Sequence, residues 1–195
     1  MEDQKKLELS GAPSDYGIMR ILYEDNEQGS YKAFGLMSTA VLNDEADAFT
    51  HSLDGHYLSK GGRLRVDGQF FTSNKGFSEA GYGGFVDFEY TLRQGIKQRL
   101  GIEYQDENVD LNDLGFLERN DNFRIRTAHT RLNPNPSWAR NNYFDVRGYI
   151  QRNRDGFLTG AGLFLVNRMT FDNLSKFTFR AGFSPCLLYT SDAAD

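Results

Sequence analysis

Four prolines, one tryptophan and one cysteine in 195 residues leave several protein classes without their raw materials. Proline interrupts helix interiors and cannot donate to a sheet ladder, so its scarcity permits long unbroken strands. Long hydrophobic runs are missing too. The longest apolar stretch, Phe157 to Val166, contains two glycines and a threonine, far short of the roughly 18 apolar residues of a membrane helix. Helical membrane spans are therefore excluded. Basic character is also lacking: 22 Lys and Arg stand against 27 Asp and Glu, a net charge of -5. With no basic patch, nothing supports a nucleic-acid partner.

Reactive chemistry is as sparse. His51, His56 and His129 do not fall at metal-ligand spacing. No glycine loop of the phosphate- or dinucleotide-binding kind is present. His56 beside Asp54 could form a proton relay, yet no Ser or Cys nucleophile is placed to complete a triad. Asp87 and Glu89 lie two apart, as paired carboxylates of a glycosidase could, but ion pairing with arginines on neighbouring strands is the expected role. Arg124 and Arg126 are expected to be solvated or salt-bridged rather than an anion site. The sequence assigns no catalytic, cofactor-binding or metal-ligating residue, and the expectation is a protein that is not an enzyme and has no cofactor.

What is abundant is aromatic residues and glycine: 16 Phe, 10 Tyr and 20 Gly, a mixture suited to strands and tight turns. The dominant signal is alternation with period two. It is clean over Phe49–Tyr57, Arg63–Phe70, Tyr82–Leu92, Ile96–Gln105, Phe144–Gln151 and Lys176–Ser184. Asp15–Tyr23, Tyr31–Leu42 and Phe123–Leu132 repeat it less strictly, and Phe157–Val166 is apolar on both sides, so its orientation stays open. These make about ten strands, most of them roughly 9–11 residues long, the length that crosses a bilayer at a tilt. Ser59–Gly62, Arg93–Gly95 and Asn153–Gly156 read as tight turns. Ser73–Ala80 and Asp106–Asp121 read as longer loops, although Asn153–Gly156 then falls on the long-loop side. Gly81, Gly83 and Gly84 fit a bulge or close strand packing.

The non-apolar positions carry both charge signs: Arg63, Arg65, Asp67, Asp87, Glu89, Lys97, Arg99, Glu103, Asp145 and Arg147. Such a face suits an aqueous or ion-paired lumen, with the apolar face toward lipid, which tolerates no unpaired strand edge. Tyr57, Tyr82, Tyr90 and Tyr104 fall near strand ends, where an interfacial girdle would sit. The expected fold is all-β, an antiparallel up-and-down outer-membrane β-barrel, present as a fragment of about ten strands. A soluble sandwich or lipocalin-like barrel alternates in the same way and is the rival reading. A glycoside-hydrolase-associated domain is a third, in which amide replacements at Asp87 and Glu89 would abolish turnover.

The ends of the chain look foreign to the pattern. The charged start, Glu2 to Lys6, has no apolar core behind it and is not a signal peptide, so the native N-terminus is expected upstream. Residues Cys186 to Asp195, CLLYTSDAAD, break the alternation. Their back-translation resembles the mosaic end of a transposon-based sequencing adapter. The domain is therefore expected over residues 1–185, with residues 186–195 as read-through, which would leave the genuine chain free of cysteine.

Asn112 to Asp121, NDLGFLERND, resembles a motif of the C-terminal region of a bacterial outer-membrane family of unknown function. The stretch Ser14–Ile21, SDYGIMRI, and Gly35–Met37 look like the same region. Family members join a family-9-like carbohydrate-binding domain to a β-barrel region. The resemblance implies a location in the Gram-negative outer membrane, contact with lipid and the barrel-assembly machinery, and passage or surface binding of a solute such as a glycan. Read physically, Asn112, Asp113 and Gly115 suit a turn that anchors the loop, with Phe116 and Leu117 against the rim.

Overall fold

The computed structural model describes residues 15–27, 29–42, 46–110 and 120–185. Ten strands follow in chain order: β1 (Asp15–Asp25), β2 (Tyr31–Leu42), β3 (Ala48–Leu58), β4 (Leu64–Lys75), β5 (Gly81–Arg93), β6 (Ile96–Gln105), β7 (Asn122–Pro134), β8 (Asn141–Arg152), β9 (Leu158–Thr170) and β10 (Lys176–Phe183). Each pairs antiparallel with its sequence neighbours in one up-and-down sheet. β1 pairs only with β2 and β10 only with β9, so the sheet is not closed into a barrel.

The strands run longer than alternation alone predicts, up to 13 residues in β5, β7 and β9. Ser73 to Lys75, expected in a loop, continue β4 instead, leaving residues 76–80 as a short connection. Long connections are thus confined to residues 106–121, between β6 and β7. Gly95 shows why the β5–β6 turn is so tight. Its φ is +80°, and a Cβ there would lie 2.2 Å from the Leu132 carbonyl oxygen, so glycine is required.

Residues paired across antiparallel strands share a face, so the register divides the sheet into two sides. One side, called outer here, carries Phe34, Leu36, Leu53, Val66, Phe70, Val86, Phe88, Leu100, Ile102, Ile125, Ile150, Leu163, Phe177 and Phe179. The open question at Phe157–Val166 is resolved by pairing. Leu163 sits opposite Gly148 on the outer side, and Phe164 opposite Arg147 on the inner.

The sheet has little conventional core. Buried apolar side chains among the described residues are small or few: Ala33, Val41, Ala48, Phe71, Val109 and Ala139. Phe71 is the one described phenylalanine that is buried; Phe34, Phe70 and Phe183 are 63%, 53% and 69% exposed.

Candidate functional site

The inner side is where the ionisable residues meet. Arg65, Asp67, Asp87, Glu89, Lys97, Arg99, Glu103, Asp145 and Arg147 all fall on it by register, as the alternation predicts. Arg63 does not. It precedes β4, donates to the carbonyls of Thr91 and Leu92, and lies over the Tyr90 ring at 5.4 Å.

The charges are paired into a ladder running across the sheet. Arg20 on β1 reaches Asp54 on β3 at 3.2 Å. His56 lies between Asp54, 3.4 Å away, and Asp67, 2.9 Å away, and Arg65 closes on Asp67 at 2.6 Å. Glu89 accepts from both Lys97 (2.7 Å) and Arg99 (2.6 Å). Arg126 grips both oxygens of Asp87 at 2.8 and 2.7 Å. Arg124 donates to the Gln151 side-chain carbonyl, at 3.0 Å from Nε and 2.8 Å from Nη2, and stands 3.7 Å from Glu103. Asp145, 1% exposed, accepts from Thr130 at 2.6 Å and pairs with Arg147. Asp87 and Glu89, the hydrolase candidates, are thus both held in ion pairs. Arg124 and Arg126 are salt-bridged as expected.

Two of these pairs cross an intervening strand, and glycine makes the crossing possible. Arg126 on β7 meets Asp87 on β5 above Gly101 of β6, where a Cβ would lie 2.4 Å from Asp87 and 2.5 Å from Arg126. Arg20 meets Asp54 above Gly35 of β2, where a Cβ would lie 2.5 Å from the carboxylate. Without a side chain on the middle strand, the two flanking ones can touch. Gly83 likewise lies under the Phe71 ring, and Gly84 lies close to the Gln69 carbonyl. Close packing, not a bulge, accounts for these glycines; register shifts occur instead at Thr91/Arg93 and Gln151/Arg152.

A cavity of about 1190 Å³ lies against this face, lined from β4 to β9. Its charged lining comprises Arg65, Arg99, Arg124, Arg126 and Arg147 against Asp67, Asp87, Glu89 and Glu103. Comparison with protein-family models, with curated proteins and with solved structures finds no match for the chain. The site therefore has to be read from its own chemistry.

One end of the trough is covered by the start of the β6–β7 connection. Val109 is 2% exposed and packs over Gly81, and the Asp110 amide donates to Ser73 Oγ at 3.1 Å. Of the motif Asn112–Asp121, residues 112–119 lie outside the described residues, as do Ser14 and residues 186–195 with Cys186. The described end of the motif anchors the loop. Asn120 donates to the Glu107 carbonyl at 2.7 Å, and Asp121 accepts the Arg154 amide at 2.8 Å. The rest of SDYGIMRI belongs to β1 and Gly35–Met37 to β2.

Sequence reasoning passed over two residues in the trough, Tyr149 and Phe164. Their rings are nearly parallel, with planes 3° apart and centroids 6.3 Å apart. The available signal was Gly160 and Gly162, two apart on one face, which leave bare backbone for a neighbouring ring to cover.

Proposed function

We propose that this sheet is part of an outer-membrane β-barrel whose inner side faces an aqueous lumen used for solute passage or surface binding. The observation that carries the proposal is where charge stops. On the outer side, Asp15, Asp25, Lys32, Arg93, Arg131 and Arg152 are the charged strand residues among those described, and each lies within three residues of a strand end. In β4 to β8 the inner side is ionic through the middle of the strands. A soluble sheet has no reason to clear charge from the centre of one exposed face.

Aromatic residues mark the margins of that charge-free band. Tyr57, Tyr82, Tyr90 and Tyr104 all lie on the outer side by register. Tyr82 and Tyr104 stand near one end of the strands, Tyr57 and Tyr90 near the other. From Tyr82 to Tyr90 the strand rises about 26 Å; a tilt near 40° brings this to about 20 Å, close to the roughly 25 Å apolar band of such barrels. The outer-side polar pairs respect the same limits: His51 with Ser38 (2.8 Å) lies in the Tyr82 row, and Gln98 with His129 (2.7 Å) in the Tyr90 row.

Magnitude argues the same way. Leu53 is 57% exposed, Phe70 53% and Phe179 48%, and many outer neighbours match them. Full burial of one such side chain gains about 1.5–3 kcal/mol, so leaving about a dozen half-wet costs on the order of 10 kcal/mol, comparable with the 5–15 kcal/mol of net stability of a whole domain. Hydrocarbon removes that cost. The partners that follow are outer-membrane lipid and the barrel-assembly machinery.

Fractionation of the full-length protein tests the reading. It should sediment with outer membranes, resist a carbonate wash and need detergent for release. Recovery as a compact monomer without detergent would defeat it and favour the soluble β-rich binding module.

A further inference from the structure

Tyr149 and Phe164 place two aromatic rings on the side of the sheet that is otherwise ionic. Both stand inward by register, Tyr149 opposite Arg126 and Phe164 opposite Arg147. Glycines lie beneath them. A Cβ at Gly162 would lie 2.7 Å from the Tyr149 ring and 2.6 Å from the Phe164 ring, and one at Gly182 would lie 2.8 Å from Phe164. The rings therefore lie flat on the wall, one face against backbone and the other toward the cavity that both residues line. Covering glycine explains the lower face alone. Phe164 remains 39% exposed, in a neighbourhood of guanidinium groups.

The charges around this platform nearly cancel, five arginines against four carboxylates in the cavity lining. Such a surface gives little overall preference for an anion or a cation, but it is rich in hydrogen-bond donors and acceptors. Arg126 and Arg147 are about half exposed while paired with Asp87 and Asp145. Each guanidinium has five N–H donors, so each keeps donors to spare. Gln151, opposite Gly160, borders the platform on the other side.

We propose that Tyr149 and Phe164 form a stacking platform for a neutral saccharide, whose hydroxyls bond to Arg126, Arg147 and Gln151. A sugar ring has an apolar C–H face and a hydroxyl-bearing edge, which matches flat rings framed by donors. The C–H face meets the electron-rich face of the aromatic ring. Two nearly parallel rings side by side make a surface longer than one ring, which favours an oligosaccharide over a monosaccharide. The proposal rests on the aqueous inner side proposed above and names the solute that the lumen would take.

The test is calorimetric titration of the detergent-folded full-length protein with maltohexaose, cellohexaose and a sulfated oligosaccharide. At least one neutral hexaose should bind, better than the sulfated one. Phe164→Ala and Tyr149→Ala should each weaken binding at least tenfold. Phe164→Trp keeps a flat ring and should retain binding. Phe164→Leu keeps an apolar cover for the glycines and should lose binding while its circular dichroism stays that of the parent. Absence of neutral-saccharide binding, preference for the sulfated sugar, or unchanged binding by Phe164→Leu would overturn the platform. Conductance in planar bilayers separates the two proposals. A conducting protein blind to these sugars defeats the platform alone, whereas sugar binding by a detergent-free soluble protein defeats the membrane reading alone.

Discussion

The middle of the sheet and its two flanks obey different rules. In β4 to β8 every inward carboxylate is held by a cation or hydroxyl from the same or a nearby strand, and Asp145 is almost fully buried as a result. At the edges, β1 is exposed along nearly its whole length and β10 along all of it. β1 also turns Tyr16, Ile18 and Leu22 inward, where the middle strands place charge. β9 and β10 turn Arg168, Lys176 and Arg180 inward with no acidic residue on their inner positions. A strand with neighbours on both sides is covered and its polar partners are fixed. Among the described residues β1 and β10 each have one neighbour and so half that cover. Such edges also present unpaired backbone groups, which invite other chains.

The largest expected effect sharpens the contrast between centre and margin on the outer side. Leu100→Arg places a charge midway along β6. On the membrane reading it costs about 2–4 kcal/mol, whereas Phe177→Arg, opposite Met169 at the end of β9, costs about 1 kcal/mol or less. Reversible urea unfolding in lipid vesicles measures both. Equal, small losses at the two positions would mean the outer side sees water.

Inner charge gives the next effect. Arg147→Ala leaves Asp145, 1% exposed, with the hydroxyls of Thr130 and Tyr143 but no cation, a loss of about 3 kcal/mol. Arg180→Ala in β10 removes an exposed cation and should stay within about 0.5 kcal/mol. The shift in unfolding midpoint checks each one. A loss at Arg180 matching that at Arg147 would erase the distinction between centre and edge.

Much of this architecture was legible in the residues and some of it was not. Nine of the ten strands follow from alternation, strict or loose, because a sheet that is wet on one side must repeat every two residues; β9 was legible only as an apolar run, and its orientation came from pairing. The inward charge set, Arg63 excepted, was legible for the same reason. Partners were not, because pairing depends on register and on which strand is skipped. Asp87 meets Arg126, 39 residues away and two strands over, and only the missing side chain at Gly101 makes that possible. Ser73 to Lys75 read as loop because they are polar, yet Ser73 is polar because it faces inward under the β6–β7 connection. Tyr149 was passed over because a tyrosine in an alternating strand fits either face, and its place beside Phe164 depends on the β8–β9 register.

The smallest effect concerns glycine, and here the two regions should differ in sign. Gly17 on β1 has open space where a Cβ would go. Gly17→Ala should therefore stabilise by about 0.5 kcal/mol, by reducing the freedom of the unfolded chain. Gly101→Ala gains the same entropy but thrusts a methyl group between Asp87 and Arg126, for a net loss of about 1 kcal/mol. The intrusion should matter only while the ion pair is there. In an Asp87→Ala background the cost of Gly101→Ala should shrink toward zero, read as the difference between two unfolding midpoints. A cost that survives removal of Asp87 would show that Gly101 serves the backbone of β6, and the strand-crossing pair would lose its explanation.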